Sequence, residues 1–309
     1  MKISVVIPTY NGDKYIKEQL DSIYAQTRVP DEVIVVDDGS IDNTVTILKE
    51  YVLKYGLKLY ENKINIGYNK NFELAIRYCT GDIIALCDQD DVWFPNKIEE
   101  SYKALLKYPL TEPSCVSSFS IATDEYLNPL PVISRDMQAG DWKLNLTRYN
   151  SQGCTLMFNR ALLDYILPFP EEMIYDAYIG LTAAMVGNRY YIDKALMYYR
   201  LYGGNSLASD KPKSPYSISN RLRMLYAYMP AWYTKDEQYR YLHILKKYQS
   251  EHFIEDRIAV LERIIKIFEV GKLKRLILFL SLEGPNKYQK IKTSIGLILK
   301  IIFCIKDKY

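Results

Sequence analysis

Over the first hundred residues, short apolar runs alternate with segments of helical spacing, and that alternation restricts the fold more than any other feature. Lys2–Ile7 is a β-branched run, and Tyr15–Gln26 places Ile16, Leu20, Ile23 and Tyr24 at helical intervals. Glu32–Val36 is again strand-like, and Thr44–Tyr55 is helical. Leu57–Tyr60, Asn69–Cys79, Ile83–Leu86 and Pro95–Lys107 continue as strand, helix, strand and helix, the last opened by proline. Strands joined through helices this long predict right-handed βαβ units and a parallel sheet.

Beyond Pro109 the short runs Cys115–Phe119, Thr155–Phe158, Tyr190–Ile192 and Ala195–Tyr199 predict further strands in a mixed sheet. From about Ser217 the spacing turns helical, at Ile218–Tyr228, Gln238–Tyr248, Asp256–Val270 and Leu273–Leu282. The expected fold is α/β: a Rossmann-like, mainly parallel sheet flanked by helices, with a C-terminal helical extension. A chain of 309 residues has room for both. The expected division is a domain at 1–210, with halves at 1–108 and 109–210, followed by an extension at 211–309.

Charge divides the same way. Residues 1–209 hold 20 Lys and Arg against 27 Asp and Glu, whereas residues 210–309 hold 20 against 10. An acidic body whose tail has no recognition motif argues against nucleic acid as a partner. The five cysteines (Cys79, Cys87, Cys115, Cys154, Cys304) show no C-x-x-C spacing, which argues against a disulfide framework or a zinc site and for a reducing compartment. Ile3–Ile7, broken by Pro8, is too short for a secretory leader, and no apolar stretch approaches about 18 residues. A cytoplasmic location is the expectation.

In an open α/β sheet, ligands bind beyond the carboxyl ends of the strands. Four polar clusters fall at such ends: Pro8-Thr9-Tyr10-Asn11-Gly12, Asp37-Asp38-Gly39-Ser40, Asn65-Ile66-Gly67-Tyr68-Asn69-Lys70-Asn71, and the acids Asp88, Asp90 and Asp91 around Gln89. Taken singly, Asn-Gly and Asp-Gly serve equally well as turn formers or caps. One of the three later acids could cap the next helix, but capping does not explain three. Like charges this close raise each other's pKa unless a cation compensates. A divalent metal bound through oxygen, together with a diphosphate, removes that cost. Neither a P-loop nor a G-x-G-x-x-G fingerprint is present.

The stretches VVIPTYNG, VIVVDDGSIDNT and LCDQDDVWFPNK, in this order, resemble the nucleotide-sugar domain of the family-2 glycosyltransferases, whose fold is called GT-A. The resemblance covers roughly residues 1–205. It implies that Thr9 and Asp38 contact the uracil or thymine base and its ribose, that Pro8, Tyr10 and Asn11 shape that pocket, and that Lys70 lies near the nucleotide. It implies an Asp-x-Asp motif in Asp88-Gln89-Asp90, with Asp90 the direct ligand of Mg²⁺ or Mn²⁺, Asp88 closer to the ribose, and Asp91 in support. An inverting transfer also needs a base for the acceptor hydroxyl. Asp176 matches the acid of the family's His-Asp-aromatic-aromatic segment, although Tyr175 and Ala177 depart from that pattern, and Glu171 and Glu172 are fallback candidates. A helix N-cap is the alternative role for Asp176.

Asn150-Ser151-Gln152-Gly153-Cys154 resembles the family's loop beneath donor sugar and acceptor. Tyr199 to Ser206 resembles the Tyr-Arg-x-His-Gly-x-Asn segment of rhamnosyltransferase-like members, with Arg200 either clamping the diphosphate from a closing loop or forming a surface ion pair. The implied donor is dTDP-L-rhamnose, with UDP-hexose or UDP-N-acetylhexosamine close behind, and the acceptor a glycan, lipid-linked in the fullest version. Two rivals stand beside this reading: a nucleotidyltransferase or phosphohydrolase, and a non-catalytic nucleotide-sugar-binding partner. In the tail, Tyr288–Ile305 interleaves lysines with a wide apolar face, which suits either peripheral contact with the inner membrane leaflet or packing and homodimerisation.

Overall fold

The computed structural model describes residues 1–130, 146, 152–202 and 235–269. The expected helices at 218–228 and 273–282, the lysine-rich tail and Cys304 lie outside these residues. The chain runs β1 (Ile3–Thr9), α1 (Ile16–Tyr24), β2 (Glu32–Asp37), α2 (Thr44–Tyr55), β3 (Lys58–Glu61), α3 (Tyr68–Arg77) and β4 (Ile83–Leu86). It continues through β5 (Val92–Trp93), α4 (Lys97–Leu105), β6 (Ser114–Thr123), β7 (Met157–Asn159), α5 (Leu163–Ile166), α6 (Tyr175–Val186) and β8 (Asn188–Arg200), then α7 (Lys235–Gln249) and α8 (Glu255–Glu269).

The strands form one sheet in the order β3-β2-β1-β4-β7-β6-β8-β5. β1 pairs in parallel with both β2 and β4, and β2 with β3, so the first half is the parallel sheet that the alternation predicts. β1, β2 and β4 are buried on both faces: Val6, Ile34 and Ile84 enter one core, and Val5, Val33 and Ala85 the other. The chain moves outward from β1 to β3, then returns to place β4 on the other side of β1. That reversal opens a crevice at the carboxyl ends of β1 and β4.

The second half is mixed, as expected. β7 is antiparallel to β4 and β6, while β6 and β8 are parallel. The runs Tyr190–Ile192 and Ala195–Tyr199 prove to be one strand. Their register against β6 jumps from Ser118↔Ile192 to Phe119↔Ala195, so the exposed pair Asp193-Lys194 is a bulge rather than a break. β5 pairs antiparallel with Met197 and Tyr198 of β8, which fixes the far end of the segment that follows β4.

α6 is apolar all round, and every residue of it except Asp176 is buried. Such a helix needs cover on all sides. α7 and α8 supply part of it: Tyr241, Leu242 and Leu245 of α7, with Leu261 and Ile264 of α8, join the same core as α6. Each such buried aliphatic side chain contributes about 1.5–3 kcal/mol. Among the described residues, the C-terminal helices therefore pack on protein, and no helix is long and apolar enough to cross a membrane.

Candidate active site at the carboxyl rim of the sheet

The loops after β1, β2 and β3 are bonded to one another through side chains. Thr9 is buried and its hydroxyl donates to Asp37 Oδ1 (2.9 Å), which also accepts from the Ser40 hydroxyl (2.6 Å). The Ser40 amide donates to the other Asp37 oxygen (2.8 Å). Asn11, at φ +47, donates its amide to Ser40 Oγ (2.8 Å) and accepts the Ile41 amide on Oδ1 (3.0 Å). Asp38 is buried, and its oxygens accept from Asn62 Nδ2 and from the Ile66 and Gly67 amides, each at 2.9 Å. Gly67 adopts φ +85, a region that favours glycine, at the turn into α3. Thr9 and Asp38, expected to meet the base, thus turn their polar atoms to neighbouring loops, whereas Tyr10 and Asn11 are exposed. Pro8 is half-buried at the same edge, and Lys70 is exposed and paired with Glu171 (3.1 Å).

Gln89 spans the crevice between β1 and β4. Its amide oxygen accepts from the Tyr10 amide (2.9 Å) and its nitrogen donates to the Tyr10 carbonyl (3.1 Å), as a strand partner would. A Cβ at Gly12 would stand 2.4 Å from Gln89 Oε1, so the close approach depends on glycine there. Gln89, expected at the nucleotide, ties two rim loops together.

Among the described residues, the three acids that flank Gln89 have few donors. Removal from water pushes the Asp88 carboxyl up to about 7, and Asp90 and Asp176 add to the effect. Burial likewise raises Asp90, and raises Asp91 well above the usual carboxylate range. Asp90 accepts the Tyr202 hydroxyl on Oδ2 (2.8 Å). Asp91 is fully buried; Oδ1 takes the Arg200 amide (3.2 Å), while Oδ2 is a buried oxygen without a hydrogen-bond partner among the described residues. Lys97 lies beneath the loop, buried and 4.7 Å from the Trp93 ring, and its burial lowers its pKa.

Asp88, Asp91 and Cys154 place carboxylate oxygens and a sulfur within 4.8 Å of one another. Burial and the adjacent Asp91 and Asp88 charges keep Cys154 a neutral thiol, so it acts on the two acids as a weak donor. The cation-capable grouping therefore contains Asp88 and Asp91, while the side chain of Asp90, the expected direct ligand, is engaged by Tyr202. A hard divalent cation fits this site, because it would supply the charge that the orphaned Asp91 oxygen and its raised neighbours lack.

Arg200 is neither on a closing loop nor in a surface pair. It ends β8, is 2% exposed, and donates from Nε to the Asp90 carbonyl (2.8 Å), with its other nitrogens on the Glu125 carbonyl and on Glu18. Its guanidinium also lies 4.4 Å from the Tyr15 ring. It is the strut under the acidic loop, held there because β6 and β8 pair to their last residues, Thr123 and Arg200.

Asp176 sits in the first turn of α6 and faces Asp88 closely enough to raise it. The N-cap of α6 is Ile174, so the capping alternative for Asp176 does not apply. Asp176 Oδ2 accepts the Gly153 amide (3.2 Å), which brings the expected donor-sugar loop beside it. Tyr175, in place of the usual histidine, stacks on Phe72 with centroids 4.0 Å apart. A Cβ on Gly153 would stand 1.9 Å from the Tyr175 hydroxyl, so glycine is required where these two loops touch. The fallback acids Glu171 and Glu172 are exposed, and Glu171 is the partner of Lys70.

Sequence reasoning did not find Tyr202, Lys97, Glu18 or Cys154 as members of the site. Tyr202 and Cys154 stood within quoted segments, whereas the buried Lys97 sits in an ordinary first helical turn that carries no signal.

Comparison with known proteins bears on this architecture. An uncharacterized glycosyltransferase of Rickettsia prowazekii is 32% identical over 179 residues, covering 56% of this chain and 55% of the relative. One from Nostoc sp. is 26% identical over 216 residues, covering 67% of this chain and 66% of the relative. The chain thus spans about half the length of the first relative and about two thirds of the second. Among solved structures, TarS 1–349 of S. aureus in complex with UDP-GlcNAc superposes with a TM-score of 0.56 at 18% identity, over 98% of this chain and 92% of that one. The mannosyltransferase PcManGT from Pyrobaculum calidifontis, in complex with GDP-Man and Mn²⁺, gives 0.52 at 19% identity, over 100% and 88%. At such identities the likeness is one of fold, a GT-A-like mixed sheet with flanking helices. The model of glycosyl transferase family 2 matches residues 4–166, more than half of the chain and every strand from β1 to β7, and the protein belongs to that family.

Proposed function

We propose that the protein is an inverting, cation-dependent glycosyltransferase that moves one sugar from a nucleoside diphosphate to a glycan hydroxyl. The observation that carries this reading is the set of carboxylates at the β1/β4 crevice, Asp90 and Asp91 buried and Asp88 half-buried, with Asp91 Oδ2 unpartnered among the described residues and Asp176 facing Asp88. Such a set costs stability unless something positive arrives.

Mg²⁺ or Mn²⁺, held by Asp88 and Asp90 with Asp91 in support, would offset the charge of the departing nucleoside diphosphate. Asp176 takes the proton from the acceptor hydroxyl, and the acceptor oxygen attacks the anomeric carbon from the face opposite the diphosphate. The C1–diphosphate bond breaks as the new glycosidic bond forms, with inversion at that carbon. The Gly153 amide orients the Asp176 carboxylate for this task. Tyr10 and Asn11 shape the nucleotide edge, and Lys70 lies at its border.

dTDP-L-rhamnose is the first donor to test, on the strength of the sequence of the Tyr199–Ser206 segment and the Asp-Gln-Asp-Asp-Val-Trp form of the acidic motif. UDP-hexoses and UDP-N-acetylhexosamines follow; TarS was solved with UDP-GlcNAc. We place the acceptor in a lipid-linked cell-surface polysaccharide precursor, made on the cytoplasmic side, where the basic residues 210–309 suit an anionic leaflet. The deciding experiment is a thermal-shift panel of dTDP-rhamnose, UDP-glucose, UDP-galactose and UDP-N-acetylglucosamine, with and without Mn²⁺. The true donor raises the melting temperature with concentration, and more so with the ion. Donor breakdown independent of any acceptor would favour a phosphohydrolase or nucleotidyltransferase instead. Donor binding without any turnover would favour a non-catalytic partner.

A further inference from the structure

Within the acidic set, Asp90 is treated differently from its neighbours. Its side chain accepts a hydroxyl, from Tyr202 at 2.8 Å, whereas Asp91 keeps one oxygen unpartnered among the described residues. The phenol is aimed by ring packing. The Tyr202 ring packs at 60° on Tyr15, with centroids 4.8 Å apart, and Arg200 lies over the same Tyr15 ring while bonding the Asp90 carbonyl. One strand end, Arg200 with Tyr202 two residues later, thus fixes both the backbone and the carboxylate of Asp90.

We propose that Tyr202 is a positioning residue that holds the Asp90 carboxylate in reserve, so that a divalent cation must compete with the phenol for that oxygen. This rests on the cation-dependent reading above. A hydrogen bond to a charged, largely buried group is strong enough that its loss on cation binding lowers affinity about tenfold. The ion alone is then held weakly by Asp88 and Asp91, and it settles firmly once a nucleoside diphosphate contributes its own oxygens. Cation and donor bind as a pair.

The test is calorimetric titration of Mn²⁺ into the full chain, wild type and Tyr202→Phe, first without nucleotide and then with UDP or dTDP present. Phenylalanine keeps the ring on Tyr15 and removes only the hydroxyl. The variant should bind Mn²⁺ alone about tenfold more tightly, and the dependence of Mn²⁺ affinity on nucleotide should shrink by the same factor. The ion-free variant should also melt lower than wild type, because Asp90 loses its donor, and Mn²⁺ should restore it. Unchanged or weaker Mn²⁺ binding in the variant overturns the inference while leaving the proposed function standing. Absence of Mn²⁺ binding by the wild type, with or without nucleotide, defeats the cation-dependent reading and this inference with it.

Discussion

Two groups of acids end the strands on either side of β1 and receive opposite treatment. Asp37 and Asp38, after β2, have both oxygens engaged by hydroxyl, amide or backbone donors. Asp90 and Asp91, buried after β4, and the half-buried Asp88 have fewer donors among the described residues, chiefly the Tyr202 hydroxyl, the Arg200 amide and the Cys154 thiol, and their carboxyls are raised. Buried polar groups are normally satisfied. The first group is the fold's own, closing loops onto loops; the second, among the described residues, keeps capacity to accept more. Acidity alone does not mark a site, whereas acidity without donors does.

Asp176 offers the sharpest extension of that contrast, since it faces the undersupplied group. Asp176→Asn should lower transfer on the order of 10³-fold while leaving the donor-induced melting shift in place. Ordinary turnover in that variant would remove it from the proposed chemistry. The contrast itself predicts opposite stability effects. Asp38→Ala strands three donors and should cost about 3 kcal/mol in denaturant unfolding. Asp91→Asn should cost nothing in ion-free protein, or should stabilise it, while weakening Mn²⁺ binding. If both variants lose stability equally, the distinction between the two groups fails.

Gly153→Ala probes the contact that sets Asp176. The added methyl meets the Tyr175 hydroxyl, and the expected cost is about 2 kcal/mol in unfolding, together with a fall in turnover that Tyr175→Phe partly relieves. The smallest effect concerns Glu32, a saturated acid at the opposite end of β2. Burial alone would raise it, but bonds from Lys58, Ser4 and Thr80 outweigh burial and hold it well below the usual carboxylate range. Its contribution is therefore complete above the unfolded value of about 4.3 and is lost as the pH falls below that. Melting curves should show about 1–2 kcal/mol of that acid loss missing in Glu32→Gln.

The parallel half of the fold was legible because β-branched runs such as Ile3–Ile7 and Glu32–Val36 have no other comfortable home. The acidic trio was legible because three carboxylates in four residues resist a structural explanation. The uses of Thr9, Asp38, Gln89 and Arg200 were not, since each depends on which loop lies opposite, and that is decided by strand order rather than by neighbours in sequence. Gln89 meets Tyr10 only because β4 returns to the side of β1. Arg200 reaches Glu18, 182 positions away, only because β8 lies along β6. The Asp193-Lys194 bulge misled for a local reason: two exposed polar residues interrupt a strand that continues beneath them.

α6 shows eleven buried residues and leaves only its acid accessible, and its reverse side is sheltered by helices that come after residue 234. Anyone shortening this chain to its family-matched part, 4–166, would discard α6 together with its shelter, and stopping at 202 would keep the helix but strip it. A shortened chain that keeps this core covered therefore includes both α7 and α8.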